Sequence, residues 1–183
     1  MKVLILGGTG AMGKHLSSLL VKSGFDVTIT SRRQQCSDTH NNLKYVVGNA
    51  KDLTFLQQLF CEKWDAIVDF MLYSTIEFEE RFEDFLVSTD QYIYISSSRV
   101  YANIDNVITE QSPRLLDVVK DNDYLASDEY ALSKARQENL LFDSSYSNWT
   151  IIRPYVTYSE QRLQLGALEK ESWLYRAIKG RPI

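Results

Sequence analysis

A glycine-rich turn directly after a short apolar run is the feature that most restricts how this chain can fold. Residues 2–6 are apolar enough to form a buried strand, and from Met12 onward leucines recur at helical spacing. Gly7, Gly10 and Gly13 follow the apolar run at intervals of three residues. A strand that passes through such glycines into a helix is typical of α/β domains, so the sequence predicts a strand–turn–helix unit at this point.

The same turn predicts a binding site for a dinucleotide. Gly7 allows the tight turn, Gly10 lets a pyrophosphate approach the backbone, and Gly13 lets the helix pack against the strand. Ala11 and Met12, at the start of the helix, add free backbone N–H groups and the positive end of the helix dipole. We therefore expect these five residues to contact a cofactor. The competing interpretation is a structural turn without a ligand, because glycines occur in many turns.

Short strand-like runs alternate with helical stretches along the rest of the chain. The predicted strands are residues 2–6, 26–30, 43–47, 65–70, 92–96 and 150–153, and the predicted helices lie after residue 12 and over 53–60, 75–88 and 127–142. Gly24 is placed to end the first helix. Such alternation predicts an α/β fold with a doubly wound parallel sheet and helices on both faces. The polar stretch 103–123 is expected to be a loop, and residues 165–179 a further helix.

Composition and charge exclude several classes of protein. The formal net charge of the 183 residues is −4 at pH 7, so the chain has no basic excess for nucleic acid. No apolar run is long enough to span a bilayer, and we expect no membrane partner. Cys36 and Cys61 form neither a disulfide framework nor a CxxC pair, which favours a cytoplasmic location. His15 and His40 lack partners at metal-ligand spacing, so no metal site is expected.

The end of the second predicted strand bears on the choice of cofactor. In domains that prefer NAD, an acidic residue at this point binds the adenosine ribose. Here the chain has Ser31, Arg32 and Arg33 instead, and a hydroxyl with two guanidinium groups suits a 2′-phosphate. The sequence therefore favours NADP over NAD. The alternative is that both arginines belong to a solvated loop.

Three motifs together resemble the extended branch of the short-chain dehydrogenase/reductase family, which modifies nucleotide sugars. They are the GxxGxxG spacing of the turn, the YxxxK sequence of residues 130–134, and the serine-rich run 95–101 that ends in Val-Tyr. The resemblance covers nearly the whole chain. It implies a Rossmann-type fold and a catalytic trio, in which Ser97 is found by counting back three residues from Val100. Ser96 and Ser98 remain alternatives, since an error of one residue is possible.

Elementary chemistry supports the pairing of Tyr130 with Lys134. Residues four apart lie on one helical face, so the ammonium sits near the phenol. A nearby cation favours the phenolate, and Tyr130 can then exchange a proton with a sugar hydroxyl or carbonyl. The resemblance adds that Lys134 also holds the nicotinamide ribose. On a solvated helix face the same spacing would carry no function.

The resemblance assigns further cofactor contacts to three turns. Asn49 and Ala50 fall where the family places an acidic residue against the adenine, and the amide of Asn49 replaces that acid. The segment after the fourth strand lines the nicotinamide ribose, whereas Asp69 before it is expected to be structural. The Arg-Pro turn after the sixth strand holds the nicotinamide amide. The residues expected at these last two turns are Phe70, Met71, Leu72, Pro154, Tyr155 and Val156.

The motifs leave more than one reaction open. A bound nicotinamide can remove a hydride from a sugar carbon and return it, so an epimerase or a reductase is expected. A dehydratase ranks lower, because that branch has an Asp-Glu pair after its catalytic hydroxyl where this chain has Ser98 and Arg99. Arg99 is unusual there and meets either an anionic substrate group or an acid of the loop. A non-catalytic redox sensor that binds NAD(P) is the alternative from another class.

The resemblance also divides the chain. Residues 1–156 are expected to form the NAD(P)-binding domain, and residues 157–183 to begin an incomplete substrate domain, which includes 159–164 and a helix carrying Trp173, Leu174 and Ile178. A truncated chain of this kind should bind NADP(H) but turn over nucleotide sugars poorly. Members of the family commonly form homodimers through the helices near 75–88 and 127–142, so a homodimer is possible.

Overall fold

The computed structural model describes residues 1–35, 41–158, 164–165 and 168–183, and the predictions that fall on Cys36, His40 or 159–163 lie outside this part of the chain. Six parallel strands form its main sheet: β1 (Lys2–Leu6), β2 (Asp26–Ser31), β3 (Leu43–Val47), β4 (Trp64–Asp69), β5 (Thr89–Ile95) and β6 (Trp149–Ile152). Their spatial order is β3-β2-β1-β4-β5-β6. The order reverses between β1 and β4, and in open α/β sheets ligands bind in the crevice beyond the strand ends at that point.

Helices and one small strand pair complete the fold. The helices are α1 (Ala11–Lys22), α2 (Leu53–Leu59), α3 (Thr75–Glu79), α4 (Phe82–Val87), α5 (Leu115–Val118), α6 (Asn122–Ala126), α7 (Tyr130–Asp143) and α8 (Lys170–Ile178). Before α8, the two-residue strands β7 (Gln164–Leu165) and β8 (Leu168–Glu169) pair antiparallel. Among the helices of the described residues, none has the length and apolar composition that a membrane span requires.

Apolar side chains cover both faces of the sheet, as a doubly wound fold requires. Along β1, Val3 and Ile5 point into one cluster, which α1 covers with Val21. Leu4 and Leu6 point into the opposite cluster, which is rich in aromatic rings from α3, α4 and β5. Side chains of neighbouring strand residues point to opposite faces, so a central strand with both faces buried is apolar throughout. The predicted fold class is confirmed.

The predicted helix over residues 75–88 is wrong in one respect, because Arg81 divides it into α3 and α4. The Arg81 side chain is only 3% exposed. Its guanidinium donates to the carbonyl oxygens of Glu77 and, at 2.9 Å, Lys51, and it lies 4.8 Å from the centre of the Tyr73 ring. The Arg81 backbone departs from the helical conformation at this point, with φ −138°. A buried cation that needs carbonyl acceptors thus interrupts an otherwise continuous amphipathic pattern.

The predicted loop 103–123 contains α5 and the start of α6. The side chains of Asp117 and Asp121 accept hydrogen bonds at the first turns of these helices. Single turns held by local polar caps have no apolar periodicity, so sequence patterns miss them. For the same reason the long helix predicted from residue 127 begins at Tyr130: the Ser127 hydroxyl donates to the Tyr124 carbonyl at the end of α6, and Glu129 caps α7.

The helix predicted over residues 165–179 is shorter than expected. Of its first part, Leu165 and Leu168–Glu169 belong to the β7–β8 pair, and α8 begins at Lys170 and ends at Ile178. Gly180 follows with φ +62°, the left-handed conformation that glycine adopts readily after a helix. The predicted end of the helix is therefore confirmed, while its start is corrected.

Candidate active site

The glycine turn has the shape predicted for it. Gly7 has φ +69°, and a Cβ atom there would lie 2.9 Å from the Met71 sulfur. A Cβ on Gly13 would lie 2.4 Å from the carbonyl oxygen of Gly8, so Gly13 lets α1 pack closely against the turn rather than against the strand. A Cβ on Gly10 would meet no atom within 4 Å. The space beside Gly10 is therefore open.

The N-terminus of α1 faces this open space. Gly10 is the N-cap of the twelve-residue helix, no side chain caps the helix there, and its first turn carries no acid. The first amides of a helix lack acceptors within the helix, and they attract anions together with the helix dipole. Ala11 and Met12 belong to this first turn. The turn thus has the room, the donors and the polarity that a pyrophosphate needs.

Two adjoining cavities lie along the carboxyl edge of the sheet and share Phe70, Met71 and Leu72 as lining residues. The larger has a volume of about 500 Å³, and the smaller, which reaches the glycine turn, about 410 Å³. Of the predicted site residues, the following line one or both: Gly7, Gly10, Met12, Ser31, Arg32, Asn49, Ala50, Phe70, Met71, Leu72, Ser97, Tyr130, Pro154, Tyr155 and Val156. Ala11, Gly13, Arg33 and Lys134 are not among the lining residues.

Ser31 and Arg32 lie at the smaller cavity, at the end of β2. The Ser31 hydroxyl donates to the Arg33 carbonyl at 2.8 Å and accepts from the Arg33 amide at 3.2 Å, so it shapes the turn. Both arginines are exposed, and Arg32 lines the cavity. The arrangement leaves one guanidinium, from Arg32, at the edge of the cavity.

The turn after β3 continues the wall of the smaller cavity next to Ser31, because the Gly48 amide donates to the Ser31 carbonyl at 2.9 Å. Asn49 lines it, and its side-chain oxygen accepts from the Lys51 amide at 3.2 Å. Ala50 is buried, and its carbonyl accepts from the Tyr73 hydroxyl. Asp52, which follows this turn, caps α2, because its carboxylate accepts from the Phe55 amide.

Ser97 and Tyr130 line the same, larger cavity although 33 residues separate them in the chain. Tyr130 is the first residue of α7 and is 37% exposed. Lys134, one helical turn later, is 2% exposed, and its ammonium donates to the carbonyl oxygen of Ile95 at 2.9 Å. Ile95 itself lines the cavity. The structure thus brings the serine and the tyrosine to one cavity and the lysine to the strand behind its wall.

Burial sets the electrostatics behind this wall. Desolvation lowers the pKa of Lys134 to about 8, although the charges of Asp69 and Glu138 favour its protonated form. Desolvation likewise raises the pKa of Asp69 to about 6 against the hydrogen bonds from Met71 and Tyr92. The Asp69 carboxylate accepts from the Met71 amide and from the Tyr92 hydroxyl, at 2.8 and 2.7 Å. Asp69 therefore holds the turn after β4, in the structural role expected for it.

The hydrogen bonds distinguish the three neighbouring serines. Ser96 is buried, and its hydroxyl donates to a carboxylate oxygen of Glu138 at 2.6 Å. The Ser97 hydroxyl accepts from the amide of Arg99 at 3.2 Å. The Ser98 amide donates to the carbonyl of Pro154, which ties the serine run to the Arg-Pro turn. Ser97 and Ser98 both line the larger cavity with a hydroxyl that is free to donate, so the geometry excludes Ser96 and leaves Ser97 and Ser98 as candidates.

A buried ion-pair cluster supports the site, and sequence reasoning did not find it. Glu138 is fully buried and takes two hydrogen bonds of 2.8 Å from Arg153 and one of 3.2 Å from Arg114. Through Ser96 and Arg153 the cluster joins α7 to the ends of β5 and β6. The available signal was that Glu138 lies four residues after Lys134 and three before Leu141, on the buried face of α7.

Further lining residues were also missed by sequence reasoning. They are Thr9, Thr30, Gly48 and Lys51 at the smaller cavity and Ile95 and Thr157 at the larger one, where Ser96, Ser98 and Arg99, which the sequence offered as alternatives or as neighbours of the site, also belong to the lining. Most stand next to a predicted site residue, so widening each motif by one position would have found them. Lys51 stands next to Ala50, and its ammonium pairs with Glu77 at 2.9 Å.

The fold and the glycine turn define a dinucleotide-binding α/β protein, and comparisons with known proteins give its family. A family model described as NAD(P)H-binding matches residues 7–174, and the chain belongs to this family. The chloroplast stem-loop binding protein of 41 kDa b of Arabidopsis thaliana is 30% identical over 198 residues, which cover 100% of this chain and 48% of that protein. The chain thus spans about half the length of this relative.

Two solved structures share the fold at lower identity. Bordetella bronchiseptica WbmH, in complex with NAD+, has a TM-score of 0.76 and 19% identity, over 98% of this chain and 63% of that one. A mutant UDP-glucuronic acid 4-epimerase from Bacillus cereus, in complex with NAD and UDP-4-deoxy-4-fluoro-glucuronic acid, has a TM-score of 0.73 and 16% identity, over 100% and 64%. With the family match, this likeness confirms the NAD(P)-binding Rossmann-type fold that the resemblance implies.

Proposed function

We propose that this chain binds NAD(P)(H) and forms the nucleotide-binding part of an enzyme that epimerises or reduces a nucleotide sugar. One observation carries the proposal: the cavity that holds Ser97 and Tyr130 adjoins the cavity that reaches the uncapped glycine turn. A dinucleotide with its pyrophosphate beside Gly10 would extend from Asn49 at one end to Tyr130 at the other. Cofactor-bound structural neighbours support this use of the fold.

The proposed roles follow from chemistry and position. Tyr130, partly exposed at the cavity, exchanges a proton with the substrate, and the Ser97 hydroxyl polarises the substrate oxygen. Lys134 lies behind the cavity wall, and its hydrogen bond to the Ile95 carbonyl helps to position Tyr130 and Ser97. The nicotinamide, when bound, supplies the acceptor and donor of hydride. The remaining contacts proposed for the cofactor are those predicted from the sequence, from Gly7 to Val156.

We propose NADP as the preferred form, on the evidence of Arg32. Its guanidinium lies at the edge of the smaller cavity, where a 2′-phosphate would be held by charge-assisted hydrogen bonds. Fluorescence titration with NADH and NADPH tests this. Arg32→Gln should remove a preference of about tenfold for NADPH and leave NADH binding unchanged, as expected for one lost charged contact.

The assignment of a reaction is tested at Tyr130. In rapid mixing of the NAD(P)-loaded chain with nucleotide sugars, absorbance of the reduced nicotinamide reports hydride transfer. Tyr130→Phe should bind cofactor as the wild type does and reduce the rate by at least about 100-fold, the usual contribution of a general acid or base. Equal rates in both proteins would contradict the proposal. Because differential transition-state binding uses the whole active site, we expect slow turnover by these 183 residues.

The division of the chain is part of the proposal. Residues 1–156 provide the cofactor domain, and residues 157–183 begin the part that contacts the sugar nucleotide. Association into a homodimer through α3, α4 and α7, and a cytoplasmic location, stay predictions.

A non-catalytic binding role is the second candidate, favoured by the name of the Arabidopsis relative as a stem-loop binding protein. The net charge of −4 weighs against phosphate-backbone binding. Under this alternative, Tyr130→Phe would leave stem-loop binding intact, and that binding would weaken steeply with salt. Gel-shift titrations with a labelled stem-loop at two salt concentrations separate the two functions.

A further inference from the structure

Arg99 is the one charged side chain among the described residues that line the larger cavity. The rest of that lining is apolar or carries hydroxyl groups, and no carboxylate belongs to it. A ligand group beside Arg99 therefore meets a guanidinium whose acidic partner, Glu129, stands outside the cavity lining. This is an environment that favours an anion.

The Arg99 guanidinium is held in place from two sides. It lies 5.3 Å from the centre of the Tyr130 ring, and its Nη2 atom pairs with Glu129 at 3.0 Å. Glu129 is itself anchored, because its carboxylate accepts from the Ala131 amide at 2.7 Å and from the Tyr124 hydroxyl at 3.0 Å. A side chain that is 65% exposed is thus oriented at the mouth of the cavity before any ligand binds.

Most of the hydrogen-bonding capacity of this guanidinium is left for a ligand. Arginine has five N–H donors, and within the described part of the chain Arg99 uses one group, on Glu129. The planar fork matches the two oxygens of a carboxylate. Because the guanidinium lies over the ring of Tyr130, an anion bound to it would stand close to the residue proposed to exchange a proton with the substrate.

We infer that Arg99 is a specificity-determining residue that selects nucleotide sugars whose sugar ring carries a carboxylate. The inference rests on the proposed function, since it assumes that the reacting sugar lies between Ser97 and Tyr130. The diphosphate of any nucleotide sugar is a second source of anionic oxygens. It lies at the far end of the sugar from a carboxylate, and the position of Arg99 beside Tyr130 favours the carboxylate.

The test compares UDP-glucuronic acid, UDP-glucose and UDP on the full chain with NADPH or NADH bound, by ligand-observed NMR titration. The wild type should bind UDP-glucuronic acid about tenfold more tightly than UDP-glucose, as expected for a charge-assisted contact. Arg99→Gln should abolish this preference and leave UDP-glucose and cofactor affinity within about twofold. Arg99→Lys, which keeps the charge but lacks the planar pair of donors, should retain part of the preference for UDP-glucuronic acid.

Arg181→Gln is the matched control, because Arg181 is exposed and lies outside both cavities. It should preserve the preference. If Arg99→Gln loses affinity equally for all three ligands, Arg99 binds the diphosphate and the inference is overturned. A preference for UDP-glucuronic acid that survives this substitution would also overturn it. If cofactor binds but no preference exists in the wild type, the inference alone fails. If neither NADH nor NADPH binds, the proposed function fails and the inference with it.

Discussion

The larger cavity, called the cleft below, has two regions that differ in burial and in hydrogen bonding: the residues behind its wall and the residues at its mouth. Behind the cleft, Glu138, Lys134 and Asp69 are each at most 2% exposed, and every one has hydrogen-bond partners. At the mouth, Arg99 and Tyr130 are partly exposed, and a single ion pair with Glu129 holds Arg99.

This difference separates two tasks of a site. Charged groups taken out of water are costly unless fully paired, and the hydrogen bonds of Glu138 to Ser96 and Arg153 tie the ends of β5 and β6 to α7. Groups at the mouth keep free donors and remain able to bind a ligand. Substitutions in the two regions should therefore differ: those behind the cleft change stability, and those at the mouth change binding.

The largest effect on stability is expected at Glu138. Glu138→Ala leaves Arg114, Arg153 and the Ser96 hydroxyl without their buried acceptor, and breaking such a buried pair costs about 3–5 kcal/mol. Urea denaturation measures the loss. Arg99→Gln, which removes an exposed ion pair, should cost less than about 1 kcal/mol. Similar losses of unfolding free energy in Glu138→Ala and Arg99→Gln would contradict the expected difference between the two regions.

A smaller, pH-dependent effect is expected at Asp69. Burial raises the pKa of its carboxyl from 3.8 in the unfolded chain to about 6, so the folded state holds the proton more tightly. The stability that Asp69 contributes is present at low pH and is lost as the pH rises through this window.

Relative to Asp69→Asn, the free energy of unfolding of the wild type should fall by up to about 3 kcal/mol between about pH 4 and pH 7. Denaturant titrations of both proteins across this range give the difference. A difference that stays constant with pH would show that the carboxyl titrates normally.

A third effect is expected in the glycine turn. Gly13→Ala places a methyl group 2.4 Å from the carbonyl oxygen of Gly8, and α1 must shift to accommodate it. Overpacking of this kind costs about 1–3 kcal/mol. Gly10→Asn, which adds a side chain into open space, should leave the thermal midpoint within about 3 °C of the wild type. The reverse order of stability would contradict the described packing of the turn.

The sheet was predictable because each strand has a local signal. The central strand β1, buried on both faces, is a nearly continuous apolar run, and both its residues 2–6 and the half-buried edge strand 43–47 were located with correct bounds. The glycine turn was predictable for a similar reason, since Gly7 needs a positive φ and Gly13 has no room for a side chain. Errors arose where side chains interrupt a pattern, as Arg81 does between α3 and α4.

The motifs that line the cleft were predictable from the sequence, but the buried ion pairs behind its wall were not. Ser97 and Tyr130 were placed together by the resemblance, and the structure brings them to one cavity. Glu138 and Arg114 were not found, because a charged residue in a helix or loop normally faces solvent. Their pairing joins residues 24 apart in the chain, and sequence patterns carry no information on such contacts.

The most direct test of the account is dinucleotide binding to Gly10→Asp. An aspartate N-cap accepts hydrogen bonds from the first amides of α1 and stabilises the helix, while its charge and bulk occupy the space proposed for the pyrophosphate. By fluorescence titration with NADPH and NADH, we predict a loss of affinity of at least about 100-fold with an unchanged or raised thermal midpoint. Undiminished binding by a folded Gly10→Asp protein would contradict the central claim that the cofactor phosphates lie at this turn.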